Sequence, residues 1–307
     1  MTPPDGVPDL VRRWTAAGQR HDAAGGLLTK GSASMAMAPR RRAMGGRGDG
    51  DGGAPAGSPA LNALIERTEA SLAPLREHRD PRRFFHATYL HTTRAVAAEL
   101  AAGGFLDAVW VGRWDVVFAG FYLEALEADL RGEPVSAPSA AAFAAADDPG
   151  GALPPLRHVL LGMNAHINFD LLQALLMVIS DAEFGDPALL ARRAADHRHI
   201  DRVLGALVDS RQRVPGTAES RGGVRNALLA RANRLATKRF LTEARAKVWA
   251  NARVLAAARR EGEAAYRARL AELQRLATAR VADLAAPGPV LLRLAARGFG
   301  VTLPAGP

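Results

Sequence analysis

The sequence predicts an all-α protein, a single multi-helix bundle with a disordered N-terminal extension. Three observations carry this expectation. From Ser58 onward apolar residues recur at helical spacing, no stretch reads as a half-buried strand, and the first 57 residues have little apolar periodicity. The expected organisation is a Gly/Ala/Arg-rich extension over 1–57, a helical domain over 58–296 and a C-terminal tail over 297–307.

The extension runs through Gly45-Gly46-Arg47-Gly48-Asp49-Gly50-Asp51-Gly52-Gly53, a composition that cannot bury enough apolar surface to offset chain entropy. Ser58-Pro59 then opens a helix with Leu61, Leu64, Ile65, Leu72 and Leu75 on one stripe. A second helix is expected from about Pro81 to Ala102, stopped by Gly103-Gly104, and a third from about Leu106 to Leu130, ended by Gly132 and Pro134. Asp107 is placed to cap the third. A short Ala-rich helix over Ser139 to Ala146 precedes a turn at Asp147–Gly151. Pro154-Pro155 begins the longest apolar helix, to about Ala182, and Pro187 begins another ending near Arg213. One charged helix is expected from about Arg221 to Leu284, stopping at Pro287-Gly288-Pro289, with a short apolar segment Val290 to Ala296 after it.

Composition narrows the chemistry. There is no cysteine, so disulfides, thiolate metal sites and cysteine nucleophiles are excluded. Any metal would sit on His, Asp, Glu or Asn. Met1 to Asp5 show no secretory n-region, and the apolar stretches 116–126 and 159–179 are interrupted by polar residues, so no membrane span and a cytoplasmic location are expected. The net charge of +9 is concentrated between Arg221 and Arg280, where 15 basic residues meet four acidic ones. Arg253, Arg260 and Arg267 recur at heptad spacing there. Only Phe240, Trp249 and Tyr266 interleave with the arginines, so base stacking is poorly supported, nucleic acid is not expected as a partner, and a solvated basic face is the reading adopted.

Chemistry-bearing residues stand out where polar groups interrupt apolar helices, because burying them is costly unless they are paired. In Gly162-Met163-Asn164-Ala165-His166-Ile167-Asn168-Phe169-Asp170-Leu171, His166 and Asp170 are four apart and share a face. Such a pair can bind a metal, or Asp170 can orient His166 as a general base. It can equally be a hydrogen-bond network that fixes packing. Asp115 and Tyr122 share a face at a spacing of seven, His197 and Asp201 are four apart, and His86, Tyr89 and Thr93 line one face of the second helix.

Tyr89-Leu90-His91-Thr92-Thr93-Arg94, Phe105-Leu106-Asp107, Trp114-Asp115 to Tyr122, the Asn164-Ala165-His166-Ile167 segment and Ala244 to Trp249 together resemble a family of uncharacterised bacterial proteins classified only as a domain of unknown function. The resemblance covers about Ala60 to Val290 and implies a helical domain, with no activity, cofactor or catalytic residue attached. This chain has Asp201-Arg202 where the family usually has an Asp-aromatic pair.

No phosphate-binding loop, His-Glu-x-x-His or Gly-x-Ser-x-Gly signature is present, and neither is the paired Glu-x-x-His of di-iron bundles. Two readings therefore stand. In one the chain is an enzyme whose His166, Asp170, Asp115 and Tyr122 act on a small molecule by acid/base chemistry, or by hydrolysis assisted by a divalent metal on His166, Asp170 and Asp201. In the other it is a non-catalytic helical binding or scaffold protein with a basic C-terminal surface.

Overall fold

Helix α1 (Pro59–Glu77) turns Leu61, Leu64, Thr68, Leu72 and Leu75 inward, the stripe that its spacing implied. In the computed structural model residues 59–147, 153–211 and 224–304 are described. The expected extension, the turn beyond Asp147 and the end of the helix expected near Arg213 lie outside them. All the regular structure among the described residues is helical.

α2 (Arg83–Ala101) buries Phe85, His86, Tyr89, Leu90, Thr93 and Val96. Gly103 at φ +73° ends it, donating to the Leu100 carbonyl while Gly104 donates to Glu99, which satisfies the last carbonyls of the helix. α3 (Ala108–Leu130) starts where Asp107 accepts from the Trp110 amide at 2.9 Å, as expected of a capping residue. Buried Asp196 holds the entry to α3 from outside, accepting from the Leu106 and Asp107 amides at 2.8 and 2.9 Å. α4 (Ala137–Ala144) is the short Ala-rich helix.

The long apolar helix departs from expectation. It is α5 (Pro155–Ala165) and α6 (Leu171–Val178), joined by a π-helical turn over His166–Asp170. Its end comes at Val178, because Ile179 is extended and Ser180 with Glu183 forms a reciprocal cap that starts α7 (Asp181–Gly185). Residues 155–178 are apolar and long enough to cross a bilayer by composition, yet 78% of their most apolar 18-residue window is buried against the rest of the protein. They are the central core helix.

α8 (Pro187–Arg211) and α9 (Val224–Glu261) follow. The single charged helix expected to Leu284 is two, because Gly262 takes φ +132°, a backbone conformation that side-chain-bearing residues avoid, and α10 (Glu263–Ala285) starts beyond it. Arg267 therefore sits on a different helix from Arg253 and Arg260, and the heptad stripe is broken. After α11 (Val290–Arg297) the chain runs extended, and this segment is core: Phe299, Val301 and Leu303 are 1%, 7% and 3% exposed.

Candidate functional site

The π-turn is the centre of the site. A π-turn adds a residue to one helical turn, so side chains on either side of it face directions that a regular helix would not give them, and such turns recur at functional sites. All five residues, His166 to Asp170, are buried. His166 and Asp170 meet as their spacing implied, Nδ1 to Oδ2 at 2.9 Å. Burial lowers the His166 pKa, with Asp170 opposing it, and burial raises that of Asp170. Where Asp170 is ionised it accepts from Nδ1–H, and Nε2 is left as a lone pair. His166 Nε2 is sealed from solvent and has no hydrogen-bond partner.

α2 and α3 build the walls. The Phe118 ring stacks on the imidazole at 3.8 Å and 4°, and Tyr89 meets its edge at 5.0 Å. Thr93, one turn along, donates its hydroxyl to the Tyr89 carbonyl at 3.2 Å, and the buried Tyr89 hydroxyl makes no hydrogen bond of its own. Burial raises the Tyr89 pKa well above the phenol range, with the charges of Asp115, Tyr122 and Asp170 adding to it and Thr93 opposing.

Asp115 is partly exposed as a residue, but its Oδ2 is enclosed and unpartnered. Burial pushes its pKa up to about 7, with Arg245 pulling the other way. This carboxyl therefore holds or releases its proton near neutrality.

Tyr122 belongs to a separate chain of hydrogen bonds instead of to Asp115. Its hydroxyl lies 3.0 Å from His86 Nδ1, and His86 Nε2 lies 2.8 Å from the Thr68 carbonyl and 3.1 Å from Ser71 Oγ. Burial raises the Tyr122 pKa and lowers that of His86. The Tyr122 and His166 rings are 5.5 Å apart, so this chain borders the site.

Asp201 does not join His166 and Asp170. Its Oδ1 accepts from Arg245 Nε at 2.6 Å, and Arg245 Nη2 donates to the His197 carbonyl at 2.7 Å. Arg245 is 3% exposed, so this member of the basic last third lies in the core and not on a solvated face. Among the described residues no three His, Asp or Glu side chains gather so as to hold a metal ion. His197 does not pair with Asp201 either. It stacks on Trp114 at 5.4 Å, and His197 Nε2 and Trp114 Nε1 are both buried without partners. Sequence reasoning missed Phe118, Trp114 and Arg245, because an aromatic or an arginine in a helix looks the same whether it faces the core or the solvent. A groove lined by Phe184, Leu190, Val254, Arg253 and Arg260 shares no residue with this centre.

The fold and the site define an all-helical protein with a buried histidine–carboxyl centre on a π-turn. The chain belongs to DUF5995, a family of unknown function, whose model matches residues 61–287. No curated protein and no solved structure matches it.

Proposed function

We propose that this chain is an enzyme that moves protons on a small molecule, with His166 as general base and Asp115 as general acid. The observation that carries this is the state of His166: Nδ1 is occupied by Asp170 while Nε2 is enclosed, uncharged and unpartnered. His197 Nε2 is buried without a partner too, but of the two only His166 combines that free nitrogen with a carboxylate at Nδ1, the arrangement of an oriented base. The Tyr89 hydroxyl, on the ring that meets the imidazole at 5.0 Å, and Asp115 Oδ2 on α3 are two further enclosed atoms without a hydrogen bond. In the proposed step a substrate proton passes to Nε2 as Asp115 delivers its own proton to the oxygen where negative charge develops, and water resets the two groups after release. The metal-assisted form of this reading has less support, since the Asp201 carboxylate is engaged by Arg245.

The scaffold reading draws on one observation of its own. Asn164 and Asn168, polar intrusions of the same helix, bind the backbone near the C-terminus and so serve packing.

The test is deuterium exchange. Pools of small carbonyl and hydroxy compounds in D2O, incubated with wild type and with His166→Gln, should yield a compound that gains deuterium with wild type only. If no compound exchanges or converts, and none stabilises wild type over His166→Gln in thermal melts, the enzyme reading fails.

A further inference from the structure

We infer that the C-terminal segment Gly298–Leu303 is a positioning element for the π-turn, holding it so that His166 faces Tyr89 and Phe118. The inference rests on the proposed role of His166, but its test does not. Asn164 and Asn168 are four apart, and His166 and Asp170 are four apart on the opposite side of the same helix. One side meets the aromatic walls and the other is fastened to the segment. Asn164 Nδ2 and Asn168 Nδ2 donate to the Phe299 carbonyl at 3.0 and 3.2 Å, and the Val301 amide donates to Asn168 Oδ1 at 3.2 Å. Asn168 thus pairs with the extended backbone as a neighbouring strand would, and it lies in the middle of the π-turn.

The far side of the segment is anchored on α9. Asn251 Nδ2 donates to the Val301 carbonyl at 3.0 Å and the Leu303 amide donates to Asn251 Oδ1 at 2.9 Å, while Lys247 Nζ donates to the Gly300 carbonyl at 3.3 Å. The fit is close enough to demand glycine. A Cβ on Gly300 would come within 2.8 Å of Ala244 Cα and of Lys247 Cδ. A Cβ on Gly298, at φ +73°, would meet Glu243 Oε1 at 2.4 Å. The segment therefore ties the π-turn to α9 through its own backbone, and it lies beyond the residues 61–287 that the family shares. A π-turn is rare within an α-helix, and the hydrogen bonds at Asn168 fasten this one from outside at its middle residue.

The experiment uses the full chain, labelled with 15N-histidine and 13C-phenylalanine, in wild type, Gly300→Val and Asn251→Ala. Both substitutions loosen the segment from α9 and leave the π-turn sequence intact. Long-range 1H–15N spectra report the tautomer of each histidine, with His86, bonded to Tyr122, as the internal reference. The expected result is that His166 loses its single Nδ1–H tautomer in both variants while His86 keeps its own. An unchanged His166 in a variant whose Phe299 signals show the segment released overturns the inference. So does loss of the His86 signature in both variants, since the segment is then ordinary core. If His166 responds to the segment but wild type exchanges no deuterium into any compound, positioning stands and the enzymatic reading falls.

Discussion

Phe118 lies flat on His166, the ring centroids 3.8 Å apart and the planes 4° from parallel. With Asp170 at Nδ1 and Tyr89 against the ring edge, Nε2 is the one ring nitrogen left without a partner. An imidazole held in this way loses little entropy when it meets a substrate, which is how preorganised bases gain their advantage.

The first prediction follows from Asp170. In Asp170→Asn the amide has no charge to stabilise an imidazolium and can present N–H to Nδ1, which favours the other tautomer and puts a proton on Nε2. Deuterium exchange catalysed by the site should fall about 100-fold or more. The fold should persist, since Asn fills the same volume, and circular dichroism checks that. A variant that keeps its exchange rate would remove Asp170 from the mechanism.

Asp115 gives a pH signature with a definite sign. Its pKa is raised in the folded state from 3.8 to about 7, so between those values the folded chain binds a proton that the unfolded chain has released. Stability from this group is present at low pH and is lost as pH rises toward and through 7. Asn at position 115 mimics the protonated acid at every pH. Asp115→Asn should therefore match wild type near pH 4 and gain on it by on the order of 2 kcal/mol between pH 5 and pH 8. Urea melts at the two pH values measure this, and a difference independent of pH would mean that the carboxyl titrates normally.

The buried histidines act in the opposite direction. His86, His166 and His197 all have pKa values lowered by burial, and His197 most strongly, with Arg245 and Arg198 adding to it. Each must gain a proton on acid unfolding, so stability from them is present above about 6.5 and is lost as pH falls below it. In His197→Phe the acid side of the stability profile should flatten, and an unchanged profile would show that His197 is charged in the fold.

These sites also mark what the sequence could and could not disclose. Helical spacing marked the long helices of the described residues as helical while running α5 into α6 and α9 into α10, and the four-residue spacing of His166 and Asp170 placed them on one face, because both are local properties of a helix. The break at Gly262 was not legible, since a glycine in a charged, Ala-rich run reads the same whether it is tolerated or turns the chain. The π-turn left no trace either, as its apolar neighbours continue the pattern on both sides. Phe299, Val301 and Leu303 do alternate, flanked by Gly298 and Gly300, and that period of two was the available signal for an extended core segment. Arg245 could be assigned to Asp201 only once α8 and α9 were side by side.

That pair supports a further prediction. Arg245 and Asp201 form a buried ion pair, with Arg245 also donating to the His197 carbonyl. Removing one partner leaves the other charge in a dry environment, so Arg245→Met should cost about 3 kcal/mol or more, while Arg245→Met with Asp201→Leu should recover most of it. Chemical denaturation of the two variants decides the matter. Equal destabilisation by the single and double substitutions would mean that the pair contributes through packing alone.

Gly162 tests whether the wall of the site is as tight as the geometry implies. It faces Phe85 from α5, and a Cβ built on Gly162 would lie 2.4 Å from both Cγ and Cδ1 of that ring and 2.9 Å from its Cβ. The ring root offers little freedom to yield, because Phe85 meets Tyr122 edge-on at 4.9 Å and lies 6.2 Å from His166. Gly162→Ala should accordingly overpack the core at a cost of about 1 to 3 kcal/mol, even though alanine is the better helix former by roughly 1 kcal/mol. The displaced Phe85 would press on the His166 cage, so the imidazole resonances should shift along with the melting temperature. Adding Phe85→Leu to Gly162→Ala makes room and should restore both. If Gly162→Ala is instead stabilising, helix propensity has outweighed contact, and α2 and α5 are separated by more space than the Phe85 contact allows.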